Sequence, residues 1–486
     1  MPAITSRRCA ATSATCATSI DLTERQTASR PCRREVLHRQ NQPEFFMTDL
    51  TKLAERLERE GIDVLHVGLF DYASMFRERR LRREQFLAWA RDPRFSNTLP
   101  HWDSADNLFG GGPYLTEALS LDLGSLRPYG FEPKAATLIA EYAGDNAGLL
   151  PRDVLRRQIE RADAMGYEVR AAFEFEVIFL EEDAASLRDK GFTGLSTFMP
   201  ENKCWSGQTA ADQAEFVAAL ERAILDHGVS LFAVAGELGP GCFEATLAAE
   251  TPMKAADDAA FFRIAARSFA RSRGMTASFM ASMGAPFPGI GGHVVLSLWD
   301  KETGRNLFAD PAGTTNALAR QFIGGMARLT PEAFALAAHT VNAYRRFAPG
   351  SWAPKSVTWA EYTFTTAVRS VPNTEDSARL EFRLPGADCN PHLTLALALA
   401  GGLDGIAEGL TPPDATPFGG PDDIPPGATR LPRDLKDAAE RLKASTLAKN
   451  AFGDAFVQHF AHACEVEHAS LAKAVSAAEL ARYLEG

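Results

Sequence analysis

The chain has 486 residues, 45% hydrophobic and 23% charged, an ordinary globular composition whose length suggests more than one domain. Lys plus Arg number 51 against 62 Asp plus Glu, and the formal net charge of -11 argues against a nucleic-acid or anionic-membrane surface. No apolar stretch is long enough to span a bilayer. Seven scattered cysteines without a CxxC pair fit a reducing, cytoplasmic setting better than a disulfide framework or zinc ribbon.

Residues 1–46 stand apart: seven arginines and four acids give them +3, leaving -14 for the remainder. They lack the apolar core of a secretory signal and read as an upstream mis-called start, with a transit peptide as the alternative. From Thr48, Leu50, Leu53, Ala54 and Leu57 recur at helical spacing up to a stop at Gly61. Strands are expected at Ile62–Phe70 and Met75–Leu81, then loops around short strands over 95–130. Asp145–Gly148 closes a first domain of residues 47–147.

The second domain, 148–486, opens with a helix near Arg152–Met165 and a strand at Tyr167–Leu180. Further helices are expected at 209–227, 253–273, 331–347 and 390–408, a Pro- and Gly-rich loop at 411–431, and two helices at the C-terminus. Helices and strands do not alternate regularly, so the fold class is α+β.

Four segments carry chemistry. In Ala171-Ala-Phe-Glu-Phe-Glu-Val-Ile-Phe, alternation puts Phe173, Phe175, Val177 and Phe179 on the core face and Glu174 with Glu176 on the other. Two carboxylates so spaced repel unless solvent or a cation intervenes. In Gly236-Glu-Leu-Gly-Pro-Gly-Cys-Phe-Glu, a turn at Gly-Pro-Gly can bring Glu237 and Glu244 side by side. In Gly292-His-Val-Val-Leu-Ser, His293, Val295 and Ser297 share a face. In Ala378-Arg-Leu-Glu-Phe-Arg-Leu, the row Arg379, Glu381, Arg383 is either a solvated charge ladder or the lining of an anion cleft.

Each segment alone also reads as a solvated face, a surface hairpin or a structural histidine. Their order and wording, with Asn342-Ala-Tyr-Arg-Arg, Asn390-Pro-His-Leu-Thr-Leu-Ala-Leu and Leu480-Ala-Arg-Tyr-Leu, resemble glutamine synthetases over residues 48–486. The resemblance implies a small β-grasp-like N-terminal domain and a large catalytic domain with a curved antiparallel sheet. It also implies a ring oligomer, a dodecamer in the first instance, with active sites shared between neighbours. Two Mg or Mn ions are implied, one on Glu176, Glu237 and Glu244, the other on Glu174, His293 and Glu381. Glutamate falls to Arg346, Arg383 and Gly289, and ATP to Ser297, Arg369 and Arg379, with Arg369 also catalytic. The implied reaction passes through γ-glutamyl phosphate, which an amine then attacks. The catalytic aspartate of a neighbouring subunit has no clean match, and Asp103 or Asp106 is the candidate.

The departures matter too. Trp352, in Pro349-Gly-Ser-Trp-Ala-Pro, replaces the family's flap glutamate, which attracts ammonium. Phe364 lies where an arginine usually contacts the transferring phosphate, Val295 replaces a second histidine, and Pro288 and Ser282 replace an Asn and a Lys of the glycine-rich loop. An indole offers an apolar wall or a cation–π face, which points from ammonia to an organic amine. A catalytically degenerate binding protein and glutamine synthetase proper are the alternatives.

Overall fold

In the computed structural model, residues 43–374, 377–426 and 428–484 are described. The first helix runs Pro43–Arg59, so it starts before Thr48 and takes in the last four residues of the expected leader. The rest of the leader lies outside the described residues. Leu50, Leu53 and Leu57 are buried, as their spacing requires.

A five-stranded sheet follows, made of β1 (Val64–Phe70), β2 (Phe76–Arg82), β3 (Arg94–Ser96), β4 (Thr116–Pro128) and β5 (Ala135–Tyr142), in the order β2-β1-β5-β4-β3. Only β1 and β5 run parallel. The turn between β1 and β2 is held by Asp71, whose side chain accepts from the Met75 N–H at 2.9 Å. The region expected to be mostly loop contains the 13-residue β4. Its Asp, Gly and Ser belong to a bulge between Asp122 and Arg127, where Asp122 accepts from the Gly124 N–H at 3.1 Å.

The second sheet comprises β6 (Tyr167–Leu180), β7 (Leu231–Gly236), β8 (Cys242–Leu247), β9 (Thr276–Ser278), β10 (Gly292–Asp300), β11 (Trp359–Glu361), β12 (Val368–Val371) and β13 (Arg379–Phe382). Its order is β11-β12-β13-β10-β6-β8-β7, with β9 also on β6, and all pairs but β11–β12 are antiparallel. On β6, Phe173, Phe175, Val177 and Phe179 are fully buried in one core with the helices Pro151–Ala164, Pro252–Arg271 and Pro391–Glu408. Apart from His392, Thr394, Asp404 and Glu408 the last of these is apolar, and it is buried over nearly its whole length. Asn390 starts it, accepting from the Leu393 N–H at 3.2 Å and donating to the Asp71 and Tyr72 carbonyls.

Three helix expectations need correction. No helix spans 331–347: the helix is Ala317–Ala333, capped by Asn316, and only short 3-10 turns follow it. Pro331 reads as a helix start, but it sits in the last turn of this one. Residues 209–227 divide into Gly207–Asp212 and Ala214–Asp226. Among the described residues the C-terminal region has four helices rather than two, Leu435–Ala444, Thr446–Phe452, Asp454–Ala472 and Ala477–Tyr483. No helix among the described residues is long and apolar enough to cross a membrane.

Candidate active site

Strand register assembles the site. Directly opposed residues of paired strands share a sheet face. Glu174 of β6 lies opposite His293 of β10, and Glu176 of β6 opposite Glu244 of β8. Val295 of β10 lies opposite Glu381 of β13, which in turn faces Arg369 of β12. Period-2 alternation adds Ser297, Arg379 and Arg383. One face of the sheet therefore gathers four glutamates, a histidine and three arginines from five strands.

The charges on this face are not balanced locally. His293 is 4% exposed, yet neither of its ring nitrogens has a hydrogen-bond partner. Its Nδ1 lies 3.4 Å from Glu381 and 3.9 Å from Glu174. Burial, then the Arg383 charge, pushes its pKa well below 6.5, so the ring is neutral with a free lone pair. Burial also raises Glu176 to about 7, against the pull of Arg346. Glu244 is raised to about 8 by burial and by repulsion from Glu174 and Glu176.

A divalent cation would answer each of these strains. Ligand atoms of Glu174, His293 and Glu381 lie within 4.8 Å of one another, as do those of Glu176, Glu244 and His293. Hard carboxylate oxygens with one imidazole suit Mg or Mn. Gly291 keeps the space open, since a Cβ there would come within 2.4 Å of His293 Nε2 and 3.0 Å of Glu176.

Glu237 does not join either group. Its Oε1 accepts from the Cys204 thiol at 3.2 Å and from the Leu238 N–H at 2.8 Å. Nor does it pair with Glu244, which faces Ala235 across β7 and β8. The turn at Gly-Pro-Gly closes two residues off the expected alignment, with the Glu237 N–H donating to the Cys242 carbonyl at 2.9 Å, and the residue opposite Glu244 on β6 is Glu176. Cys204 is a contact that nothing in the local pattern announces.

Beside the glutamates, Glu381 is 2% exposed and bridges two arginines. Arg369 donates to it at 2.9 Å and Arg383 donates to its other oxygen. The Phe364 ring covers both guanidiniums, 4.2 Å from Arg369 and 5.4 Å from Arg383, and the Phe364 carbonyl accepts from Arg383 at 3.1 Å. The resemblance flagged Phe364 only as a missing arginine; the structure adds that it stacks on Arg369 and Arg383. Arg346 is buried, donates to the Leu384 carbonyl at 2.9 Å and is lowered to about 10 by burial. Gly289 adjoins it, since a Cβ there would lie 3.1 Å from Arg346 Cγ.

A cleft of about 290 Å³ opens along β10 and is lined by Arg170, Val295, Ser297, Trp299 and Arg379 among others. Ser297 accepts from the Trp299 indole at 2.9 Å, and Arg170 stacks 3.8 Å over that indole. Trp352 is 61% exposed. Asp103 binds its own loop, accepting from the Ala105 and Asn107 N–H groups at 2.9 and 2.8 Å. Asp106 pairs with Arg77 at 2.5 Å. None of these bonds reaches the glutamate cluster.

The sequence pattern of the glutamine synthetase catalytic domain matches residues 149–483. The chain belongs to the glutamine synthetase family. Among family members it is 32% identical over 451 residues to the glutamate–isopropylamine ligase of Pseudomonas sp, covering 90% of this chain and 98% of that one. It is 31% identical over 371 residues to the gamma-glutamylethanolamide synthetase GlnA4 of Streptomyces coelicolor, covering 76% and 79%. The ligand-free GmaS structure superposes with a TM-score of 0.77 at 24% identity, over 90% of this chain and all of that one. The family resemblance and the α+β fold expected from the sequence are both borne out.

Proposed function

We propose that this glutamine synthetase family member is an ATP-dependent ligase that joins the γ-carboxylate of glutamate to an organic amine through γ-glutamyl phosphate. The observation that carries the reading is the charged face built by β6, β8, β10, β12 and β13, in combination with an indole where the family's flap carries a carboxylate. Relatives named for isopropylamine and ethanolamide ligation support the choice of an organic amine.

Two Mg or Mn ions would be held by Glu174, His293 and Glu381 on one side and by Glu176 and Glu244 on the other, with Glu237 released from Cys204 to complete the second set. Bound there, they would neutralise the phosphate charge of ATP during phosphoryl transfer. The cleft beside Ser297, Trp299 and Arg379 suits the nucleotide, with the indole offering a flat apolar surface. Arg346, Arg383 and Gly289 would bind glutamate, the guanidiniums meeting its carboxylates. Arg369 would steady the transferring phosphoryl group, and Phe364 keeps Arg369 and Arg383 aligned in place of the family's third arginine. Trp352 would wall the amine site. Asp103, whose hydrogen bonds with Asn107 outweigh burial and hold its carboxyl below the usual range, would serve the site of a neighbouring copy in a dodecameric ring.

The test is phosphate release from ATP with Mg or Mn and L-glutamate, across ammonia, alkylamines, ethanolamine, polyamines and anilines. The reading expects one organic amine class to stimulate release and yield a γ-glutamylamide by mass spectrometry. Silence across the panel from a folded protein that binds Mn would overturn it. Sizing chromatography at the mass of a monomer would overturn the ring.

A further inference from the structure

A second cleft, of about 370 Å³, lies away from the nucleotide cleft and has walls of both charge signs. It falls in the size range of small-molecule sites. Arg267, from the helix Pro252–Arg271, lines it together with Thr276, Ser278, Asn342, Asp388 and Glu467. Among the described residues Arg267 makes no hydrogen bond and no ion pair. Its guanidinium stands 5.2 Å from the Phe279 ring.

Its helix neighbours make this costly. Arg263 and Arg271 stand one turn before and one turn after it, and like charges at that spacing repel. Arg263 donates only to the backbone carbonyls of Ala387 and Cys389, at 3.3 and 2.8 Å. Among the described residues no carboxylate forms an ion pair with the row, although the charges of Asp388 and Asp71 act on Arg263, in a chain whose net charge is -11. Burial and the two flanking arginines lower Arg267 to about 10, still fully charged at neutral pH.

The acids of the cleft differ from one another. Glu467 is already engaged, accepting from the Ser104 hydroxyl at 2.9 Å. Asp388 accepts from Thr340 through one oxygen, while its buried Oδ1 has no donor. One cleft is thus lined by an unpaired guanidinium and by a carboxylate oxygen that lacks a proton donor. A simple dianion would be repelled by the acids and a simple cation by Arg267. A ligand that carries both charges satisfies both.

We propose that this cleft binds a small α-amino acid, its carboxylate on Arg267 and its ammonium group toward Asp388 and Glu467. The site is separate from the glutamate cluster but close to it in structure. Asn342, on its wall, accepts from the Ser282 N–H at 3.0 Å and donates to the Ser282 carbonyl at 2.8 Å, and Ser282 begins the loop that leads to Gly289 and Gly291. The proposal does not depend on the ligase reading.

Isothermal titration calorimetry on the full chain tests it, with L-glutamate, L-glutamine, L-aspartate and L-alanine, and with N-acetyl-L-glutamate as a probe lacking the ammonium group. Arg346→Gln serves as the background, because it removes a residue assigned to the first site. At least one free amino acid should bind this variant, and adding Arg267→Gln should weaken that binding roughly 10- to 100-fold, the worth of a charge-assisted hydrogen bond. N-acetyl-L-glutamate should bind at least 10-fold more weakly than L-glutamate, if L-glutamate is the ligand. Ser278→Leu, which narrows the cleft and leaves the guanidinium intact, should also abolish binding, and it stands in if Arg267→Gln fails to fold. Amino-acid binding that vanishes with Arg346→Gln alone, or that ignores both cleft variants, overturns the proposal.

Discussion

Two groups of buried charge in this protein obey different rules. Around Arg152, each carboxylate meets a partner: Asp257 in a two-pronged pair at 2.9 Å, Asp122 at 2.7 Å and Glu141 at 2.5 Å, with His392 adding a 2.9 Å contact to Asp257. Burial alone would raise Asp257, but Arg152 and His392 overcome it and hold the carboxyl below the usual range. On the face around His293, by contrast, Glu176 and Glu244 are pushed above that range and the imidazole has no partner. The first group ties the helices Pro151–Ala164, Pro252–Arg271 and Pro391–Glu408 to β4 and β5. The second is left incomplete, as a site for cations must be. Satisfied charges mark architecture here, and unsatisfied ones mark chemistry.

That contrast can be broken by mutation. Asp257→Ala, which strands a buried guanidinium, should cost about 3–5 kcal/mol of stability, read by urea melts. Glu244→Gln should do the reverse. It should cut metal-dependent turnover by about 100- to 1000-fold while metal-free stability stays within about 1 kcal/mol, because glutamine resembles the protonated acid that burial already favours. Equal loss of stability in the two variants would erase the distinction.

The two groups should also answer pH with opposite signs. Glu176 and Glu244 have folded pKa values above the ordinary 4.5, so the folded state holds protons that the unfolded chain has released. Their contribution is fully present below about pH 4.5 and is lost as pH rises through about 7 and 8. Asp257 is depressed below 3.8, so its contribution is present above that value and is lost as pH falls beneath it. Thermal melts from pH 5 to 9 in chelator should therefore show falling stability, and saturating Mn should flatten the slope. The smallest effect expected is on amine recognition: Trp352→Ala should raise the KM for the organic amine roughly 10-fold and leave the KM for ATP unchanged.

Local pattern sufficed wherever the relevant period was short. Strand alternation alone placed Phe173, Phe175, Val177 and Phe179 inward and Glu174 and Glu176 on the opposite face, because the side-chain period of a strand is two and needs no partner. The helices expected at 152–165, 253–273 and 390–408 lie within two residues of those found, each of which opens on a proline. Cues that serve two roles misled. Pro331 could open a helix or sit in its last turn, and the Asp122-Leu-Gly-Ser of β4 could be a loop or a bulge. Contacts between distant segments were beyond any local pattern. Which residue stands opposite which across two strands depends on register, so only the fold could pair Glu244 with Glu176 rather than Glu237, and lay Phe364 across Arg369 and Arg383. The sequence by itself determined the family and the chemical character of the charged face. The tertiary structure decided which of those charges are neutralised and which are left for a ligand, because burial and partnership are properties of the packed chain and not of any window along it.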